Sequence, residues 1–231
     1  MYDRHPVQPG GRYGYPPGPL DSRLSGTGRV ADDLYLMAHH DRTGKPLLET
    51  RALALGLAGG LLAELMLGRS AGLQLDGTVA AGRAWPADEL AQRVHGLIAA
   101  EQPLAVRDWL GFLALTAPDD VARRLGQAGY LAQVRHRLPW RRPRWVPVDP
   151  DWAYTPLLRV RSALDPSRPF SAHDTVLAGL TAACGLQFRI DQYMAPARNI
   201  TEATRPLPPG LRELIAQTQA AADSSVLSRG M

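Results

Sequence analysis

Residues 52–68 read Ala-Leu-Ala-Leu-Gly-Leu-Ala-Gly-Gly-Leu-Leu-Ala-Glu-Leu-Met-Leu-Gly. A helix with that sequence is apolar on nearly every face, so it is stable only when other elements surround it. The stretch is shorter than the roughly 20 residues that cross a bilayer, and it carries Glu64. The expectation is the central helix of an all-helical domain, with any membrane contact peripheral. Gly56 and Gly60 stand one turn apart, where a missing Cβ lets a neighbouring helix approach closely.

The rest of the chain supplies partners for this helix. Val30-Ala31-Asp32-Asp33-Leu34-Tyr35-Leu36-Met37 sets two acids ahead of an apolar run, as suits the positive end of a helix dipole. Asp41-Arg42-Thr43-Gly44-Lys45 then reads as a turn. Apolar residues at three- and four-residue spacing predict helices over 88–100, 104–115, 118–128, 154–164, 172–184 and 211–222, with a weaker segment over 188–194. Residues 73–79 alternate around Asp76-Gly77 and predict a small hairpin. The fold class expected is mainly α, a single helical domain with small β-hairpins. Its boundaries are a disordered Gly/Pro-rich arm over 1–29, the domain over 30–222 and a flexible tail over 223–231.

The charge is unevenly placed. The chain has 26 basic and 22 acidic residues. Residues 121–148 hold seven arginines (Arg123, Arg124, Arg135, Arg137, Arg141, Arg142, Arg144), together with His136 and no acid. Without them 19 basic residues face 22 acidic ones, so a partner drawn by charge should meet this segment. Lys45 is the sole lysine, a bias attributable to a GC-rich genome. Residues 130–138 and 144–148 read as two strands around Pro139-Trp140-Arg141-Arg142-Pro143, whose prolines suit an exposed edge or turn.

Other chemistries lack their motifs. There is no Gly-rich phosphate loop, no Gly-x-Ser-x-Gly and no metal-binding cysteine pair, so neither enzymatic activity nor a cofactor is expected. His39-His40-Asp41 is the densest group of metal-ligand residue types, but neighbours in a helix point about 100° apart and no metal site is expected there. His173-Asp174 suits a helix N-terminus, and Trp109 with Phe112 suits the core. Cys184, the only cysteine, lies in an apolar run where it should behave as a small buried hydrophobe. The N-terminal residues lack the apolar core of a secretory signal, which places the expected protein in the cytoplasm.

Several stretches in sequence order resemble the Golgi phosphoprotein 3 family. They are the acidic helix start with its Asp-Arg-Thr-Gly turn, Gly56-Leu57-Ala58-Gly59-Gly60-Leu61-Leu62-Ala63-Glu64-Leu65, and Gly68-Arg69 leading to Leu73-Gln74-Leu75. Val106-Arg107-Asp108-Trp109-Leu110, Val121-Ala122-Arg123-Arg124-Leu125 and Gly129-Tyr130-Leu131 follow. The resemblance implies a helical domain that reads phosphatidylinositol 4-phosphate on a membrane through a basic pocket, with a neighbouring hairpin that dips into the bilayer. In eukaryotic members this supports Golgi trafficking and the retention of glycosyltransferases by their cytosolic tails. The composition points to a bacterial member. The resemblance also suggests homo-oligomerisation through the hairpin, while leaving any protein cargo unspecified.

The resemblance is not uniform. Glu49 stands at the family's lipid-contacting tryptophan, and Ala58, Asp119 and Ala122 stand at family arginines. Arg124 alone falls on an arginine of the pattern. Anionic phospholipid is therefore expected to meet Arg123, Arg124, Arg135, Arg137, Trp140, Arg141, Arg142, Arg144 and Trp145. The arginines attract headgroups while the tryptophans sit at the interface. On a purely structural reading, Trp145 and Val146 pack on the core and the arginines are merely solvated. A winged-helix nucleic-acid binder has the same layout of helix and basic hairpin. Asp119-Asp120 at the start of that helix would repel phosphate, so nucleic acid is not the expected partner.

Overall fold

The computed structural model describes residues 26–134, 143–191 and 199–227. Helix α1 (Val30–Met37) precedes the central helix α2 (Thr50–Leu67). A small antiparallel sheet, β1 (Ala71–Leu73) and β2 (Thr78–Ala81), comes next, and β3 (Leu104–Ala105) joins it after α3 (Glu89–Ala100). Helices α4 (Val106–Leu113) and α5 (Ala117–Gln127) lead to the hairpin strands β4 (Leu131–Val134) and β5 (Arg144–Pro147). A 3-10 turn (Pro150–Ala153), α6 (Tyr154–Ala163), α7 (Ala172–Ala183), α8 (Gln187–Asp191), α9 (Ile200–Thr204) and α10 (Pro209–Leu227) complete the described chain.

Helix α2 is the hub, packed by α1, α3, α4, α5, α7 and α10. It is long and apolar enough to cross a membrane, yet 72% of it is buried inside the domain. The glycine spacing has the expected use. A Cβ on Gly60 would lie 2.8 Å from the Ala31 Cα, and one on Gly56 would strike the Cys184 sulfur. Helix α1 and the end of α7 can approach the hub because those positions carry no side chain. Burial pushes the Cys184 thiol up to about 12, which keeps it protonated and inert.

The Asp76-Gly77 turn forms as its sequence predicts, with Gly77 at φ +82 and the Asp76 carboxylate accepting from the Thr78 amide. The predicted helix over 104–115 begins two residues late, because Leu104 and Ala105 pair with Val79 and Thr78. Two boundaries also move. Helix α10 continues through Leu227, past the point where a flexible tail was expected. Residues 26–29, assigned to the arm by composition, lie on the domain: Thr27 donates its amide and hydroxyl to Asp33 Oδ1 at 3.0 and 2.8 Å.

Candidate functional site

The hairpin base is built by β4 and β5, paired antiparallel from Leu131↔Pro147 to Val134↔Arg144. The predicted first strand runs on past Val134 into residues outside the described ones. Arg135, Arg137, Trp140, Arg141 and Arg142 lie outside the described residues. Beneath the base, Tyr130 meets Trp152 edge to face at 4.7 Å, and its carbonyl accepts from the Val148 amide.

Trp145 is half-buried. The ring lies over α5, so close that a Cβ on Gly126 would sit 2.5 Å from it, and it packs against the hydrophobic core. The packing is the one that the purely structural reading expects of Trp145, and an indole laid on a glycine gains dispersion contacts that water cannot offer. Arg144 on the same strand is half-buried rather than exposed.

Arg124 is corrected more sharply. Its side chain is only 8% exposed, and it forms an ion cluster under α1 rather than a membrane surface. Nε and Nη2 reach Asp32 Oδ1 at 2.9 and 2.8 Å, Nη1 and Nη2 fork onto Glu64 at 3.0 and 3.1 Å, and Nη1 reaches Asp88 Oδ1 at 3.2 Å. Arg29 adds a second cation beside Asp88 at 3.4 Å. Burial disfavours the Arg124 charge, but Glu64 and Asp32 more than restore it and hold the guanidinium above its ordinary value. Burial likewise opposes the Asp88 charge, yet the Ala91 amide and Arg124 keep that carboxyl below the usual range.

Asp32 behaves differently. Burial raises its carboxyl to about 7, with Arg124 opposing the shift and Glu64 adding to it. Three carboxylates share two arginines here, so one negative charge lacks a full partner. Next to it, Asp33 is buried on the other face of α1. It accepts from Arg159 Nη1 of α6 at 2.9 Å, and Arg159 also pairs with Asp174 and donates to His173 Nδ1 at 2.8 Å on α7. The two adjacent acids thus hold two separate clusters.

Arg123, next to Arg124 on α5, is exposed. It shares Asp120 with Arg93 of α3, donating from Nη1 to Oδ1 at 2.9 Å. Arg29, Asp88, Arg93, Asp120, Arg123 and Arg124 line one cavity of about 400 Å³. The structure therefore brings Arg123 and Arg124 together, but in a hollow of mixed charge. At the positions that depart from the resemblance, Ala58 and Ala122 are buried. Glu49 caps α2 by accepting from the Arg51 and Ala52 amides, and Asp119 is exposed near the buried Tyr35. Those positions present no cation.

The family model described as Golgi phosphoprotein 3 (GPP34) matches residues 30–218. The chain belongs to the Golgi phosphoprotein 3 family. No curated protein matches it. For a Golgi phosphoprotein 3 chain, the family match covers α1 with both its acids, the hub helix, the hairpin and most of α10. Sequence reasoning missed the clusters around Asp32 and Asp33. The available signal was that VADDLYLM places two acids in an otherwise apolar helix, all eight residues of which are buried.

Proposed function

We propose that this Golgi phosphoprotein 3 family member is a non-enzymatic peripheral adaptor that associates reversibly with anionic membranes from the cytoplasmic side. The observation that carries the reading is the pairing of Val134 with Arg144. It fixes the point at which the acid-free segment with Arg135, Arg137, Arg141 and Arg142 leaves and rejoins the helical domain. Each arginine close to an anionic surface contributes about 1 kcal/mol, so four together supply a few kcal/mol before ordering costs. Attraction of this kind is reversible and weakens with salt. Trp140 in the same segment is suited to the interface.

The lipid class is anionic phospholipid, and the resemblance favours phosphatidylinositol 4-phosphate. The test is co-sedimentation with vesicles of phosphatidylcholine alone, with phosphatidylserine, or with phosphatidylinositol 4-phosphate at matched charge, in the presence and absence of duplex DNA. Binding to the anionic vesicles, lost in R141E/R142E and unaffected by DNA, is the expected result. Absence of vesicle binding together with tight DNA binding would overturn the reading. Preference between the two anionic lipids distinguishes headgroup recognition from charge alone.

A further inference from the structure

A second basic feature lies on α9 and α10. Thr201 and Thr204 of α9, Arg205 just after it, and Arg212 and Ile215 of α10 line a cavity of about 190 Å³. Neither arginine has a carboxylate within ion-pair distance among the described residues. The two nearest acids in sequence are turned to other work or open to water: Glu213 accepts from Gln217 at 2.8 Å, and Glu202 is exposed.

The backbone holds the two arginines in place. Pro206, Pro208 and Pro209 fix φ at three of the six positions between them. Leu207 and Leu211 are buried and fasten that connection to the core. On the cavity floor, Ile215 is seated against α7, where a Cβ on Gly179 would lie 2.6 Å from it. Arg212 stands in the first turns of the 19-residue helix α10, whose first turn contains no acid. A helix N-terminus already carries positive partial charge, so a cation there is unfavourable by itself. Two guanidinium groups and two threonines therefore share one concave site, and no carboxylate lines it among the described residues.

We infer that this cavity binds a tetrahedral oxyanion of the phosphate-monoester class, with Arg205 and Arg212 as the charged forks and the Thr201 hydroxyl as a further donor, the Thr204 hydroxyl being donated to the Thr201 carbonyl at 3.1 Å. Guanidinium donors match phosphate oxygens in geometry as well as in charge. The site is separate from the hairpin and stands whether or not the hairpin binds membranes. A free phosphate, a phosphorylated small molecule and a lipid headgroup ending in a monoester all carry this chemistry.

The test titrates the full chain with inorganic phosphate at about 150 mM salt, where unspecific surface attraction is screened. Arginine Nε–H and backbone amide NMR signals are followed in the wild type and in R205Q/R212Q. Saturable shifts centred on Thr201, Thr204, Arg205 and Arg212, with affinity at least tenfold weaker in the double variant, are expected. Both arginines are exposed, so the variant should retain the wild-type melting temperature. A second arm uses phosphatidylcholine vesicles with phosphatidic acid in the R141E/R142E background. Retention that requires Arg205 and Arg212 assigns a lipid source. Phosphate binding without retention assigns a soluble one. No saturable shift, or equal shifts in R205Q/R212Q, would overturn the inference.

Discussion

Arg124 and Asp32 stand 92 positions apart in the chain and meet at 2.8 Å beneath α1, with 8% and 2% of their side chains exposed. Removing one member of a buried ionic cluster leaves its partners desolvated and unpaired, which typically costs 3–5 kcal/mol. Arg124→Gln is therefore expected to lower stability by about that amount in urea unfolding, while vesicle binding by the folded fraction is unchanged. Loss of binding at full stability would instead return Arg124 to the membrane surface.

Asp32 gives the protein a distinctive pH dependence. An unfolded aspartate titrates near 3.9, whereas Asp32 in the fold titrates at about 7 with Glu64, Asp88, Arg124 and Arg29 around it. Between those values the folded state holds a proton that the unfolded state has released. Its contribution to stability is full below about pH 4 and is lost as pH rises through about 7. Asp88, Asp120 and Asp174 are shifted down, so their contributions have the opposite sign and fade as pH falls below the usual carboxylate range. Asp32→Asn should flatten the decline in stability from pH 5.5 to 8, by on the order of 2 kcal/mol. Thermal melts across that window decide the matter; parallel curves for both proteins would contradict it.

Gly126 tests the seating of Trp145. An alanine there needs the space of the indole, and overpacking of this kind costs about 1–3 kcal/mol. Gly126→Ala should lower the melting temperature and alter the near-ultraviolet circular dichroism, and both changes should be small in a Trp145→Ala background. Additive effects of the two substitutions would mean that the contact is not the cause.

Gly60 makes a harsher demand, because its neighbour is the backbone of α1 and cannot rotate away. Gly60→Val is expected to destabilise more than Gly126→Ala, and to expose the amides of α1 in hydrogen exchange before those of α10.

Local patterns in the sequence made most of the fold legible. Apolar periodicity located the helices, Asp76-Gly77 marked its turn, and the spacing of Gly56 and Gly60 announced a close helix contact. The ion clusters were not legible in the same way. Asp33 and Arg159 lie 126 positions apart, and no local period links them. Asp32 and Asp33 looked like acids favoured by a helix dipole, although an apolar helix on both sides left them nowhere to meet water. Arg124 had a signal of its own. It falls three residues after Val121 and one before Leu125, on the buried stripe of α5, whereas Arg123 falls outside it. The clustering of arginines in sequence concealed a difference that helical geometry had already made. Five of the hairpin's seven expected lipid contacts, from Arg135 to Arg142, lie outside the described residues.

The hairpin leaves the domain after α5 and returns just before α6. Arg124 fastens the first of these helices to Asp32, and Arg159 fastens the second to Asp33. Its two roots are thus riveted to neighbouring residues on a single turn of α1, itself wedged against Gly60 of the hub. A pull on the hairpin would load both rivets at once and pass into the centre of the domain, so the basic segment is mounted as a bracket is on a beam.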